Sequence, residues 1–370
     1  VEDYAVTVKG LDFGDAPDPT YPTLLASNGA RHAVLPAGNP TLGTLVDTEA
    51  DGQPNVTLTG DDANGVDDED GVTFPATLIP GANGTIQLKA GSTGGIVSCW
   101  IDFNRNGSWA DATDKVVTDL TLAAGATVNR SFPVPVGSPQ GGAPTRCRIS
   151  SVGGLGVTGL AIDGEVEDHL APIGVEAPRI GIAKRLISVD RDPADPLAFT
   201  VTFAVRLTNF GNVPLSNVNA VANFASVFTA PASFTVTSVT SGDFAVNPSF
   251  DGNGNPDLLA AGNTLAIGQT GVIQVVLHVA SGGKVGPYTA SCIARGTSPA
   301  GNPVTDVSQD GDDPDPDGNG NPNDNSVPTV IELPVSVIQI PTLGGWGMLL
   351  LAGLLGLFAV RRLGRRATEV

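Results

Sequence analysis

Histidine, cysteine, methionine and basic side chains are scarce in this 370-residue chain, which has 3 His, 3 Cys, 1 Met and 19 Lys and Arg together. His32, His169 and His278 stand in no metal or nucleophile motif, and no Gly-rich phosphate loop joins a strand to a helix. Carboxylates are so numerous that no pair of them singles out a glycosidase centre. These features count against hydrolytic, nucleotide and histidine-metal chemistry. The 19 basic residues face 38 acidic ones, for a formal charge of −19. So anionic a chain repels phosphate backbones and anionic lipid, which excludes nucleic acid as a partner and favours divalent cations. Cys99, Cys147 and Cys292 lack CxxC or metal spacing. Cys99 in SCWIDF and Cys147 in TRCRIS fall in strand-like stretches, on the face opposite Asp102, Arg146 and Arg148. They are either two small buried hydrophobes or a disulfide of an oxidising compartment, and Cys292 is left over, expected to be buried.

What the chain has in quantity is turn formers, 47 Gly and 29 Pro. With aromatics at only 5%, this composition predicts many short strands and few long helices, in two to three domains. Residues 11–70 are rich in Gly, Pro, Asn and Asp and keep no sustained period, which predicts a connector ordered in parts, without a core. From Gly71 the apolar residues alternate in VTFPATLI, TIQLKA, GIVSCWIDF, TVNRSFPVP, TRCRISS and GEVEDHLAPI. Six or seven short antiparallel strands over 71–172 predict a β-sandwich. A second sandwich is expected over 173–334. There Phe199, Val201, Phe203, Val205 and Leu207 share one face of a strand and Thr200, Thr202, Arg206 and Thr208 the other, and VIQVVLHVA repeats the pattern. The fold class is therefore all-β, two tandem antiparallel β-sandwiches.

The far end differs in kind. From Leu343 to Val360 no side chain is charged, so 343–360 is expected to be a single C-terminal transmembrane helix. Arg361, Arg362, Arg365 and Arg366 follow in a basic tail over 361–370, which the positive-inside bias assigns to the cytoplasm. Val1 opens in the strand-like VEDYAVTV without a signal peptide, so the chain is expected to be a fragment of a longer exported one.

Two stretches resemble known families. Val1-Glu2-Asp3-Tyr4 returns as Val166-Glu167-Asp168-His169, which makes 1–10 the expected end of an earlier repeat. Gly164-Glu165-Val166-Glu167-Asp168 resembles the naming motif of the GEVED domains of bacterial surface proteins. Arg146-Cys147-Arg148, Trp100 to Asn104, Asp12 to Asp18 and Gly29-Ala30-Arg31-His32 extend the likeness, although His169 replaces a usual Tyr. Ile340-Pro341-Thr342-Leu343 with Trp346-Gly347, after a linker over 335–342, resembles the IPTL-CTERM sorting signal of Gram-negative bacteria. That resemblance implies an exosortase as processing partner, the inner membrane before cleavage, and the cell envelope or surface afterwards. Pro178 to Lys184, Thr208 to Leu215 and Asp317 to Asn325 are similar to the repeated Ig-like domains of such proteins.

Asp102-Phe103-Asn104-Arg105-Asn106-Gly107-Ser108 places oxygens at the first, third and fifth positions and Gly at the sixth, the front half of a calcium loop. The twelfth position is Thr113, so Asp111 or Asp114 is expected to supply the missing carboxylate to a site that also uses Ser108. Asn106-Gly107 is equally a hairpin signal. Asp61, Asp62, Asp67, Asp68, Glu69 and Asp70 crowd into one run, either solvated or wrapped around calcium. The turns at Asp251 and Asp317 have Pro where a calcium loop has Gly, and are expected to be plain turns. The expected function is non-catalytic surface display, as a stalk or adhesion module stiffened by calcium, with a surface glycan or protein as ligand. The alternative is the accessory, carbohydrate-binding part of a secreted enzyme with its catalytic domain upstream of Val1.

Overall fold

The computed structural model describes residues 10–60, 68–334 and 345–366. Strands dominate them. The N-terminal unit holds β1 (Leu11–Phe13), β2 (Arg31–Ala33), β3 (Val72–Thr73), β4 (Asn83–Lys89), β5 (Gly95–Ile101), β6 (Lys115–Leu122), β7 (Thr127–Pro133), β8 (Gly141–Ser150), β9 (Leu160–Ala161) and β10 (Glu165–Ile173). An antiparallel sheet ordered β10-β8-β5-β6 faces the antiparallel sheet β3-β4-β7. Alternation turns Val97, Cys99 and Ile101 of β5 and Cys147 and Ile149 of β8 toward Ile86, Leu88 and Phe132 of the other sheet, and these side chains form one buried cluster.

Cys99 and Cys147 lie directly opposite each other on β5 and β8 and are joined by a disulfide, with Cα atoms 4.2 Å apart. The bridge closes a loop of 48 residues, which in the chain-entropy account stabilises the fold by about 4 kcal/mol. Cys292 is free and buried.

Of residues 11–70, expected as a connector ordered in parts and without a core, the described stretch up to residue 60 packs across the second face of the β10-β8-β5-β6 sheet. It contributes β1 and β2, which join β9 in a small sheet, and buries Phe13, Ala16, Tyr21 and Leu58. The sheet is therefore covered on both sides, one apolar and one polar.

The C-terminal unit holds β11 (Ile180–Arg191), β12 (Ala198–Asn209), β13 (Ser216–Val221), β14 (Ser233–Ser241), β15 (Thr270–Ala280), β16 (Tyr288–Ala290), β17 (Ile293–Thr297), β18 (Pro303–Val307), β19 (Gln309–Asp310) and β20 (Thr329–Ile331). A five-stranded sheet, β14-β15-β12-β11-β19, packs on β13-β17-β18 through a single large apolar cluster. The period-2 face of β12 is buried as expected, with Val201, Phe203, Val205 and Leu207 sealed. Register places Lys184 of β11 opposite Val205, so its side chain enters that core. It is wholly buried, with its ammonium 4.4 Å from the Phe203 ring centre and 4.7 Å from that of Phe224. The rings offer a cation–π contact, yet the nitrogen has no hydrogen-bond partner, and burial pulls its pKa below the usual lysine value.

Helix α1 spans Gly345–Arg366, and its side chains from Met348 to Ala359 are exposed. No helix among the described residues is long and apolar enough to cross a membrane. The transmembrane helix expected over 343–360 is thus not found as such. The charge-free part of α1 before Arg361 rises only about 24 Å, short of a ~30 Å hydrocarbon core.

Candidate functional site

The polar face of the β10-β8-β5-β6 sheet is built on two arginines. Strand alternation aims Arg146 and Arg148 of β8 away from the apolar core, and the leading segment closes over them, so both guanidinium groups are buried. A buried guanidinium is tolerated only if its five N–H donors find acceptors. Arg146 donates through Nε to Asp168 Oδ1 (2.7 Å) and through Nη2 to Asp168 Oδ2 (2.6 Å) and Thr23 Oγ1 (3.0 Å). Its Nη1 donates to the carbonyls of Pro22 (2.7 Å) and Val157 (3.0 Å), which completes the set.

Arg148 is served without a paired carboxylate. Its Nη atoms donate to the carbonyls of Gly156, Thr158, Arg31 and Gly159, and Nε donates to His32 Nε2 at 3.0 Å. That bond fixes the imidazole as neutral, with Nδ1–H donating to the Asp163 carbonyl at 2.7 Å. Burial, with Arg148 alongside, holds His32 well below the usual histidine pKa. Burial likewise brings Arg148 down to about 9, with Arg146 adding to the shift.

The GEVED residues sew this face shut. Asp168 accepts, besides Arg146, the amides of Asp15 (3.0 Å) and Ala16 (2.9 Å). Asp12 accepts the Val166 amide at 2.7 Å, Glu167 the Gly71 amide at 2.9 Å, and Glu165 the Leu42 amide. Gly14 lets the backbone come this close, since a Cβ there would lie 2.4 Å from Asp168 Oδ2. The motif therefore clamps the start of the unit to its last strand. His169, in the place of the usual Tyr, pairs with Glu167 at 2.9 Å.

The expected calcium loop connects β5 to β6. Asp102 is fully buried, and its Oδ2 accepts Tyr21 Oη (2.6 Å) and the Gly107 amide (2.9 Å). Gly107 sits at φ 84°, so the sharp turn needs glycine. Asn104 and Asn106 both point their amide nitrogens at Asp111 Oδ2, at 2.7 and 2.9 Å, so these three side chains converge on one point. Ser108 caps the Ala110 amide instead. Asp114, 1% exposed, leaves Oδ1 with no hydrogen-bond partner, and burial, with Asp111 and Asp102 adding, raises its pKa to about 6. The loop thus holds one buried carboxylate oxygen without a hydrogen-bond partner, but Asp102, Asp111 and Asp114 are not among the described carboxylates whose oxygens gather within 4.8 Å of one another. Tyr21 links loop to clamp: its ring lies 4.5 Å from that of Trp109, over which the Arg146 guanidinium stacks at 4.8 Å.

In the acidic run, Asp61, Asp62 and Asp67 fall outside the described residues. Asp68 accepts the Asp47 amide, and Asp70 accepts the Thr44 amide and hydroxyl. Glu69 belongs to the same described end of the run. The Asp251 turn is closed by the Asn253 and Asn255 amides on one carboxylate oxygen, the plain turn that Pro256 implied. Ile340, Pro341, Thr342 and Leu343 lie outside the described residues, while Trp346 and Gly347 stand in the first turn of α1. The Arg146–Asp168 clamp had one sequence signal, the alternation that put both arginines on a face opposite Cys147; nothing local identified their acceptors.

Residues 96–172 match the GEVED domain and residues 338–367 the IPTL-CTERM motif. No curated protein sequence matches the chain. Among solved structures it is similar to the full-length major pilin SpaD of Corynebacterium diphtheriae at 12% identity, over 58% of each chain, with a TM-score of 0.23. A protein of unknown function from Porphyromonas gingivalis W83 is 12% identical over 64% of this chain and 95% of that one, with a TM-score of 0.16. Rst D1-D2 is 13% identical over 65% and 98%, with a TM-score of 0.17. The chain thus carries a GEVED domain, clamped by the residues of its naming motif, and an IPTL-CTERM sorting motif, which supports export to a bacterial cell surface.

Proposed function

We propose that this chain is a non-catalytic display module, a stalk or adhesion segment, delivered to the surface of a Gram-negative cell by an exosortase that reads its tail. The observation that carries the reading is the IPTL-CTERM match over 338–367. Support comes from α1, whose exposed apolar side chains pack on nothing among the described residues. Before processing, α1 docks in the inner membrane with its arginines on the cytoplasmic side. The non-catalytic reading is supported by the histidines. His32 is sealed against Arg148, His169 is tied to Glu167, and His278 lies 3.9 Å from Asp192 on an exposed sheet face. Calcium is assigned to the Asp102 loop, with Asp102, Asn104, Asn106, Asp111 and Asp114 as its oxygen donors, and it stiffens the unit through Tyr21.

Replacing Pro341 and Thr342 by Ala leaves the apolar stretch intact, so membrane docking persists while the signal is lost. In a host with its exosortase, the variant is expected to stay uncleaved in the inner membrane while the parent loses its tail and reaches the surface. Equal mass and equal location of the two proteins would overturn the sorting reading.

A further inference from the structure

A loop in the C-terminal unit, after β19, repeats the architecture of the Asp102 loop with different residues. It packs on β11, where a Cβ on Gly181 would lie 2.9 Å from the Cβ of both Pro314 and Pro322. One carboxylate oxygen from each of Asp315, Asp317 and Asp324 lies within 4.8 Å of the other two. Among the described residues no Lys or Arg forms an ion pair with any of them. Asp315 is only 6% exposed; its Oδ2 accepts the Gly320 amide at 2.8 Å, and its Oδ1 is buried with no hydrogen-bond partner. A carboxylate oxygen out of water and without a donor is costly, and the two neighbouring carboxylates make it costlier. We propose that Asp315, Asp317 and Asp324 hold a divalent cation, calcium by their chemistry, at a second site independent of the Asp102 loop.

Counted from Asp315, oxygens stand at the first, third and fifth positions as Asp315, Asp317 and Asn319. Gly320 is sixth at φ 77°, and Asn321 is seventh, where such loops offer a backbone carbonyl. The frame beginning at Asp317 instead put Pro322 at the sixth place and hid the pattern. The sixth-position amide returns to the first aspartate in both loops, 2.8 Å here and 2.9 Å at Asp102. The Asp251 turn lacks this bond because Pro256 has no N–H. Asn319 and Asn321 aim their side-chain amides at the carboxylates of Asp317 and Asp324 (2.9 to 3.1 Å), and rotating either amide by half a turn presents its carbonyl oxygen instead. An all-oxygen set on a loop suits the variable coordination of calcium better than the strict octahedron of magnesium.

The test is calorimetric titration of the chelator-stripped chain with calcium chloride, and in parallel with magnesium chloride. Asp317 and Asp324 are exposed, so Asp317→Asn with Asp324→Asn leaves the fold intact, as circular dichroism will verify. This double variant is expected to lose one calcium-binding event, or to weaken it roughly tenfold or more, while Asp111→Asn retains that event. Hydrogen exchange across 311–326 should slow on calcium addition in the Asp111→Asn chain. The proposal falls if the double variant and parent give the same isotherm, if millimolar calcium leaves exchange in 311–326 unchanged, or if magnesium binds equally well. Loss of binding only in Asp111→Asn would retain the Asp102 site and dismiss this one.

Discussion

The two β units answer the same physical problem, the second face of a sheet, in different ways. In the C-terminal unit the outer face of β12 carries Thr200, Thr202, Arg206 and Thr208, half-buried, and the inner face does the stabilising. In the N-terminal unit the second face of β8 is roofed by a segment with little regular structure, held by hydrogen bonds from Arg146 to the Pro22 carbonyl and the Thr23 hydroxyl and from Arg148 to the Arg31 carbonyl. The lesson is that a stretch without periodicity can be ordered by donors standing on a neighbouring strand. Charge is handled oppositely as well: Arg146 and Arg148 are buried with all donors served, while Lys184 is buried with none.

The contrast is broken hardest at Asp168. Asp168→Ala leaves the Arg146 guanidinium buried without its anion and frees two backbone amides, at an expected cost of about 3–5 kcal/mol. Chemical denaturation should show the loss in the N-terminal unit alone. A cost under about 1 kcal/mol would mean that Thr23 and the two carbonyls already suffice for Arg146.

Lys184→Met is expected to do the reverse. The thioether fills the slot between Phe203 and Phe224 and removes the burial penalty on the ammonium, a gain of about 1–2 kcal/mol in the C-terminal unit. The folded lysine pKa is lowered by burial, with Cys292 and Asp310 opposing, so the parent's deficit is fully present at low pH. It shrinks as pH rises through the folded value toward the unfolded 10.5, and the variant's advantage should shrink with it. A destabilised variant would show that the two rings fully compensate the charge.

The smallest effect concerns His32. Its folded pKa lies well below 6.5, so its contribution is intact above that pH and is lost as pH falls toward the folded value. The N-terminal unit should lose up to about 1.4 kcal/mol per pH unit in that window. A His32→Gln chain, whose amide carbonyl can still accept from Arg148, should lose this slope. An unchanged slope would place the acid sensitivity elsewhere.

Period-2 alternation made the apolar faces of β5, β8, β12 and β15 legible in the sequence, because each strand carries its own pattern. It also contained Lys184, in step with Ile180 and Ile182, but a charged residue in a core register reads as an exception until the rings around it are known. The segment 10–60 was illegible because its order is borrowed: its partners are side chains on β8 and β10, Arg146, Arg148, Glu165 and Asp168, which its own pattern does not record. The Asp102 loop was legible as a tight turn, because Gly107 stands at its sixth place with a positive φ. The C-terminal loop has Pro322 at the sixth place when read from Asp317 and Gly320 there when read from Asp315.

The clamp at the GEVED motif also sets how the unit bears load. Asp12 meets Val166, and Asp15 and Ala16 meet Asp168, so the incoming and outgoing segments run side by side in the same direction. Tension applied between residues 10 and 173 therefore acts along this seam in shear. The hydrogen bonds share the strain together instead of unzipping one by one.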